Sequence, residues 1–181
     1  MKFSETPLAG AWIVDVEPHT DERGFFARTW CRREFEEHGI DADFVQASLS
    51  YNRVAGTLRG MHFQRPPHAE TKLVRCVRGA IYDVIVDLRR ESGSYGRWTG
   101  LELSANNRRG LLVPKGFAHG FITLDDNTEV LYQISAYYTP GSGTGLRHDD
   151  RQLGIEWPVP VKVIDDKDRA LPAFADHEPA A

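Results

Sequence analysis

The sequence has few cysteines and no long apolar run. Only Cys31 and Cys76 occur among its 181 residues, and nothing in the sequence places the two thiols together. A disulfide framework is therefore not expected, and a reducing compartment is favoured. No apolar segment approaches the roughly 20 residues that span a membrane, and the N-terminal stretch has no basic region followed by an apolar one. We expect a cytoplasmic protein that does not bind membranes.

The chain also lacks an excess of positive charge. Its formal net charge is −4 at pH 7, so there is no general basic field that would attract nucleic acid or an acidic membrane. An anionic ligand would instead have to be bound by individually placed arginine and lysine side chains.

Glycine and proline punctuate the whole chain. Sixteen glycines and ten prolines separate short runs rich in Val, Ile, Leu, Phe and Tyr, which is typical of an all-β sandwich or barrel. We predict one domain over residues 1–181, in which the proline-rich segment at about 155–175 closes the barrel mouth. The clear helix candidate is residues 31–38, where Gly39 can provide the left-handed C-terminal cap.

Two segments alternate with the period of a β-strand. In residues 81–88, Asp83 and Asp87 share a face with Ile81 and Ile85. In residues 128–138, Val130, Tyr132, Ile134, Ala136 and Tyr138 fall on one face. If that face points into the barrel, Tyr132 and Tyr138 line a cavity.

Polar side chains concentrate in two strand-like stretches. The first, residues 46–64, contains Arg59, His62 and Gln64, and the second is a P-x-G-x-x-H pattern at 114–119 that ends at His119. With Gly56, Glu70 and Gly79, they outline the two motifs of cupin barrels. A metal-binding cupin usually has a second histidine where this chain has Gln64, and glutamine is a poor ligand for transition metals. His62, His119 and Glu70 could still form a metal site, so that alternative stays open.

Taken together, the motifs resemble the dTDP-4-dehydrorhamnose 3,5-epimerase family over nearly the whole chain. They are, in order, D-x-R-G-x-F (21–26), G-T-L-R-G-M-H-F-Q (56–64), K-L-V (72–74), D-V-x-V-D-L-R (83–89), V-P-x-G-F-A-H-G-F (113–121), Tyr132, Y-Y-x-P (137–140), L-G-I-E-W-P (153–158) and D-K-D (166–168). The resemblance implies an antiparallel jelly-roll, cupin-like β-barrel, a nucleotide-sugar substrate, a homodimer, and neither a metal nor another cofactor.

The resemblance also implies catalytic roles. Members of the family remove a proton beside a sugar ketone and return one to the opposite face, which requires a base and an acid on two sides of the ring. His62 matches the base, and Asp168 matches the carboxylate that orients it. Tyr132 matches the acid, and Lys72 would face the enolate oxygen.

Substrate binding is implied for a second group of residues. Arg23 and Arg59 match side chains that hold the diphosphate and nucleotide, and Tyr138 matches the aromatic that stacks on the nucleobase. The full set is Arg23, Phe26, Arg28, Gln46, Ser48, Arg59, His119, Tyr138 and Lys167. Arg28, Ser48 and Gly143 depart from the family pattern, which usually has glutamate, asparagine and glutamate there. These departures leave the identity of the nucleotide and sugar open, and His119 could equally be part of the scaffold.

The expected activity is epimerisation of a nucleotide-linked 4-keto-6-deoxy sugar at C3, C5 or both. The alternatives are a single-site epimerase acting on a different nucleotide sugar, a metal-dependent cupin isomerase or dioxygenase, and a sugar-nucleotide binding protein without catalysis. The presence of His62, Lys72, Tyr132 and Asp168 together argues against the last of these.

Overall fold

The computed structural model describes residues 1–41 and 43–177. The predicted domain extends to residue 181, and its last four residues lie outside the described part. The strands are β1 (Lys2–Glu5), β2 (Trp12–Asp15), β3 (His19–Asp21), β4 (Gly24–Phe26), β5 (Gln46–Asn52), β6 (Thr57–Gln64), β7 (Lys72–Arg78), β8 (Ala80–Asp87), β9 (Trp98–Ser104), β10 (Gly110–Val113), β11 (Phe117–Thr123), β12 (Thr128–Ile134), β13 (Gly143–Gly145) and β14 (Val163–Ile164). The helices are α1 (Arg32–Glu37), α2 (Asp166–Arg169) and a 3-10 turn at Phe174–Asp176.

Two sheets form the barrel. The first sheet has the strand order β1-β2-β10-β7-β12-β5, and the second has the order β13-β6-β11-β8-β9. Their strand pairs are antiparallel, while β14 adds a parallel pairing to β6. The β3–β4 hairpin forms a separate two-stranded ribbon. The predicted all-β, antiparallel jelly roll with few short helices is confirmed.

The main core lies between the two sheets. Ile81 and Ile85 of β8 pack there against residues such as Val74 and Phe121, as the period-two pattern predicts. The opposite face of β8 is also buried, because Val84 belongs to a second apolar cluster to which the C-terminal half contributes Leu153 and Phe174. Both faces of the second sheet are therefore covered.

The C-terminal segment runs along the outside of the second sheet before it returns to the barrel. Trp157, Val159 and Val161 pack against buried residues there, and β14 then pairs with the start of β6. The chain continues into α2, whose side chains reach the cavity described below.

Helix α1 covers part of the outer face of the first sheet. Phe35 is its buried residue, and it packs against Leu73 and Leu112. The helix is two residues shorter than the predicted 31–38, and Gly39 follows it with a φ of 69° and an N–H bond to the Glu36 carbonyl. The predicted glycine cap is confirmed. No described helix is long and apolar enough to cross a membrane.

A close approach of two strands makes Gly60 difficult to replace. Its φ is 137°, and a Cβ built there would lie 2.5 Å from Gly120 Cα. We expect Gly60→Ala to lower the free energy of unfolding by at least about 2 kcal/mol, since overpacking and a disfavoured backbone conformation add. Gly93→Ala is the control, because a Cβ at Gly93 meets nothing within 4 Å. Equal denaturation midpoints for the two variants would contradict this expectation.

Candidate active site

A cavity of about 670 Å³ opens between the two sheets. Thirteen site residues are predicted from the sequence, and ten of them line this cavity: Gln46, Ser48, Arg59, His62, Lys72, His119, Tyr132, Tyr138, Lys167 and Asp168. The remaining three, Arg23, Phe26 and Arg28, do not line it.

His62 and Asp168 form a hydrogen-bonded pair on one side of the cavity. His62 Nε2 lies 2.7 Å from Asp168 Oδ1, and Asp168 Oδ2 accepts the Gly60 N–H at 3.1 Å. The pair is assembled by the parallel contact of β14 with β6, which brings α2 beside the strand that carries His62. The His62 side chain is 45% exposed and that of Asp168 is 11% exposed, so the imidazole is open to a ligand while the carboxylate is covered.

The environment of Asp168 favours its charged form. Burial alone would raise the pKa of its carboxyl, but the hydrogen bond and charge of His62, the Gly60 N–H and the charge of Arg59 lower that pKa below its usual value. The carboxylate is thus suited to orient the imidazole and to stabilise it once protonated.

Tyr132 and Lys72 face the cavity from the other sheet. On neighbouring strands of the first sheet, Tyr132 pairs with Val74 and Lys72 pairs with Ile134. The two side chains are therefore diagonal neighbours on one face. Burial, with the negative charge of Asp83, raises the pKa of Tyr132 above its usual range, against a smaller opposing effect of Arg59. The phenol is thereby kept in its proton-bearing form.

His119 lies beside His62 on the adjacent strand and has its own carboxylate. The two histidines are register partners in β11 and β6, and His119 Nε2 lies 2.7 Å from Asp83 Oδ1. The His119 ring meets that of Tyr132 edge-on, with 6.1 Å between centroids. This position is compatible with a role of His119 in ligand binding and also with a purely structural role.

Asp83 is a site residue outside the set predicted from the sequence. It is fully buried beneath His119. The signal was present, because the alternation of residues 81–88 placed this carboxylate on the same face as Ile81 and Ile85, and a buried carboxylate needs a partner. Ser50, Phe121 and Leu171 also line the cavity and are not among the predicted site residues. Ser50 lies in the polar stretch 46–64 and Phe121 ends the motif at 113–121, whereas Leu171 lies in neither.

Both the nitrogen and the oxygen of the Gln64 side-chain amide form hydrogen bonds. Its nitrogen donates to Glu70 at 2.7 Å and to the His68 carbonyl at 3.2 Å, and its oxygen accepts from Ser142 Oγ at 2.7 Å. Glu70 in turn forms an ion pair with Lys72 at 2.9 Å. Across residues 1–41 and 43–177, no group of three His, Cys, Asp or Glu side chains is placed to hold a metal ion.

Strand β5 presents polar side chains to the cavity and apolar side chains to the outside. Gln46, Ser48 and Ser50 line the cavity, while Leu49 and Tyr51, between and after them, are 60% and 49% exposed. Such an inverted pattern suits a polar ligand inside the barrel and a contact with another protein surface outside it.

Further groups that suit an anionic ligand lie around the same cavity. Arg59 Nε donates to Asn52 Oδ1 at 2.7 Å, which orients the guanidinium. Tyr138 is 72% exposed, and its N–H is bonded to the Gln46 side-chain oxygen. Its ring is therefore held at the cavity while keeping a free face. Gly143 also lines the cavity, and a Cβ there would meet nothing within 4 Å.

The other three predicted binding residues lie on or just after the β3–β4 hairpin. The Arg23 side chain is 90% exposed and pairs with Asp21, and Phe26 is 77% exposed. Arg28 pairs with Glu34 at 2.7 Å. Phe26 and Arg28, together with the N-terminal Met1, line a separate and smaller pocket.

A family model described as dTDP-4-dehydrorhamnose 3,5-epimerase matches residues 5–176 of this chain. The chain belongs to the dTDP-4-dehydrorhamnose 3,5-epimerase family. The predicted family is thus confirmed, and the protein is an isomerase of the epimerase type.

Individual members of this epimerase family are similar to the chain over nearly its full length. The dTDP-4-dehydrorhamnose 3,5-epimerase of Methanothermobacter thermautotrophicus is 46% identical over 93% of this chain and 91% of its own. The crystal structure of the Bacillus anthracis enzyme with TDP and PPi bound has a TM-score of 0.92 at 46% identity, covering 96% of this chain and 99% of that one. The Legionella pneumophila enzyme in complex with dTDP-4-keto-L-rhamnose has a TM-score of 0.92 at 35% identity, covering 98% and 94%.

Proposed function

We propose that this epimerase converts dTDP-4-dehydro-6-deoxy-D-glucose to dTDP-4-dehydro-L-rhamnose by inverting C3 and C5, without a metal or another cofactor. The observation that carries the proposal is the placement of a histidine–aspartate pair and a phenol on opposite sheets of one cavity. A sugar ring between the sheets would have a base on one face and an acid on the other.

Each inversion proceeds through an enolate. His62 takes the proton from the carbon beside the C4 ketone, the electrons of the broken C–H bond move to the C4 oxygen, and the Asp168 carboxylate stabilises the imidazolium. The Lys72 ammonium donates to the enolate oxygen, where a preorganised donor is worth about 2.7–4 kcal/mol of barrier. Tyr132 returns a proton to the opposite face of the same carbon. C3 and C5 both flank C4, so the same groups serve both positions once the imidazolium has released its proton and the phenolate has regained one by exchange with solvent.

The nucleotide portion binds the basic and hydrogen-bonding residues of the cavity. Arg59 and Lys167 supply positive charge for the diphosphate, Tyr138 stacks on the base, and Gln46, Ser48 and His119 contribute hydrogen bonds. Among the supporting comparisons, the solved Bacillus anthracis relative holds TDP and the Legionella pneumophila relative holds a dTDP sugar.

The experiment that tests this function is proton NMR in deuterated water with dTDP-4-dehydro-6-deoxy-D-glucose. We expect the C3 and C5 proton signals to disappear and the inverted product to form, at a rate that EDTA treatment leaves unchanged. Loss at one carbon would indicate a single-site epimerase. Activity that EDTA removes and an added metal restores would favour the metal-dependent alternative, and no loss at either carbon would contradict the proposal.

A homodimer accounts for the positions of Arg23, Phe26 and Arg28. These side chains do not line the cavity of their own chain, and in the proposed dimer they reach the cavity of the second protomer. The exposed Leu49 and Tyr51 on edge strand β5 provide an apolar surface for such an association. Sedimentation velocity should give twice the mass of the chain, and a monomer at micromolar concentration would contradict the dimer. A cytoplasmic location stays a prediction.

A further inference from the structure

Glu70 is a covered carboxylate in the cavity that the proposed mechanism does not use. Its side chain is 11% exposed and its Oε1 lies 2.9 Å from Lys72 Nζ, whose side chain is 12% exposed. A charge removed from water to this extent requires a compensating charge. Glu70 supplies that compensation directly to the one lysine that the mechanism assigns to the enolate oxygen.

The second oxygen of Glu70 is also occupied. Gln64 donates to Glu70 Oε2 at 2.7 Å, so each carboxylate oxygen faces a donor. Gln64 is itself held in place, because its amide oxygen accepts from Ser142 Oγ at 2.7 Å and from the Thr139 N–H at 3.3 Å. A continuous set of hydrogen bonds thus runs from Lys72 to the turn at residues 139–142, which follows Tyr138.

We propose that Glu70 is a positioning residue for Lys72 and that Gln64 anchors Glu70 in the required orientation. A lysine stem has four rotatable methylenes and a point charge, so a mobile ammonium would donate poorly to a developing oxyanion. With one N–H directed to Glu70, the ammonium of this cavity-lining lysine has two further N–H groups with which it can donate to the ketone oxygen. The inference rests on the proposed function, because it assigns Lys72 to the enolate oxygen.

A double-mutant cycle between Glu70 and Lys72 tests this inference. Glu70→Gln should lower kcat for deuterium exchange roughly 10- to 100-fold, less than the roughly 100- to 1000-fold expected when the donor itself is removed in Lys72→Met. KM, and dTDP affinity measured by calorimetry, should change by less than about twofold, because the two Glu70 oxygens are directed to Lys72 and Gln64 and the inference gives Glu70 no contact with the substrate. In the Lys72→Met background, Glu70→Gln should cause no further loss, since its effect is transmitted through the ammonium.

Two more variants keep the test decisive. Glu70→Asp retains the charge and shortens the side chain by one methylene, so a folded protein with roughly tenfold lower kcat is expected even where Glu70→Gln folds poorly. Asp149→Asn is the matched control, since Asp149 pairs with Arg147 in an exposed ion pair away from the cavity, and it should leave kcat unchanged.

The outcomes distinguish a failure of the proposed function from a failure of the proposed role of Glu70. Wild-type protein without exchange at C3 or C5 would contradict the proposed function itself. Wild-type exchange with full loss in Lys72→Met, but with unchanged kcat in both Glu70 variants or with losses that multiply in the double variant, would overturn only the role of Glu70. A raised KM with unchanged kcat would also overturn it.

Discussion

Replacing His62 with alanine is expected to abolish deuterium incorporation at both C3 and C5 of the keto sugar. Both abstractions use the same base, and a positioned general base contributes roughly 10²- to 10⁴-fold. The imidazole is the accessible member of its pair, at 45% exposure against 11% for Asp168, so no other group in that pair can take its place. The measurement is the proton NMR time course in deuterated water.

The fold of the His62→Ala variant should be retained, because Asp168 keeps the Gly60 N–H bond. Thermal unfolding and dTDP calorimetry verify this. His38→Ala is the control, since His38 lies at the end of α1, where its ring stacks on Phe3, and does not line the cavity. Exchange at the wild-type rate in His62→Ala would show that His62 is not the base. Exchange lost at one carbon alone would show that a second base acts at the other carbon.

Tyr132→Phe is expected to separate proton abstraction from inversion. The variant loses a single hydroxyl, so His62 can still form the enolate, but no acid remains on the opposite face. We expect the formation of inverted product to fall roughly 10²- to 10⁴-fold, while deuterium exchange with retained configuration persists and dTDP affinity stays unchanged. The raised pKa of Tyr132 keeps the wild-type phenol protonated as this role requires.

Two NMR readouts from one sample check the Tyr132 prediction: isotope content at C3 and C5, and the signals of the inverted sugar. Tyr82→Phe serves as control, because burial raises the pKa of that tyrosine too but its ring packs in the outer clusters of the second sheet. A Tyr132→Phe variant that is impaired only in binding would make Tyr132 a scaffold residue.

The alternation of apolar residues predicts which side chains share a face of a strand better than it predicts where the strand ends. In residues 128–138 it places Tyr132 on the face that lines the cavity, as the structure shows. The predicted face continues to Tyr138, yet β12 ends at Ile134. Tyr138 still lines the cavity because its N–H is bonded to the Gln46 side chain, a contact across 92 residues that no local pattern encodes.

The sequence places His119 and Asp83 in separate strand patterns but does not predict that the two residues pair. Each residue stood in a recognisable strand pattern, and the register of β11 against β8 brings them together. Register depends on which strands pair, and that is settled by the whole sheet rather than by either segment alone.

The all-β architecture, the family and the type of chemistry can be predicted from the sequence, because residue type, period and motif order are local properties of the chain. Which of these residues meet depends on the tertiary structure. The His62–Asp168 pair joins residues 106 positions apart through the parallel contact of β14 with β6, and the hairpin that carries Arg23 and Phe26 lies away from the cavity of its own chain. Both depend on burial and strand pairing over long separations, whose free energy belongs to the folded domain and not to any one segment.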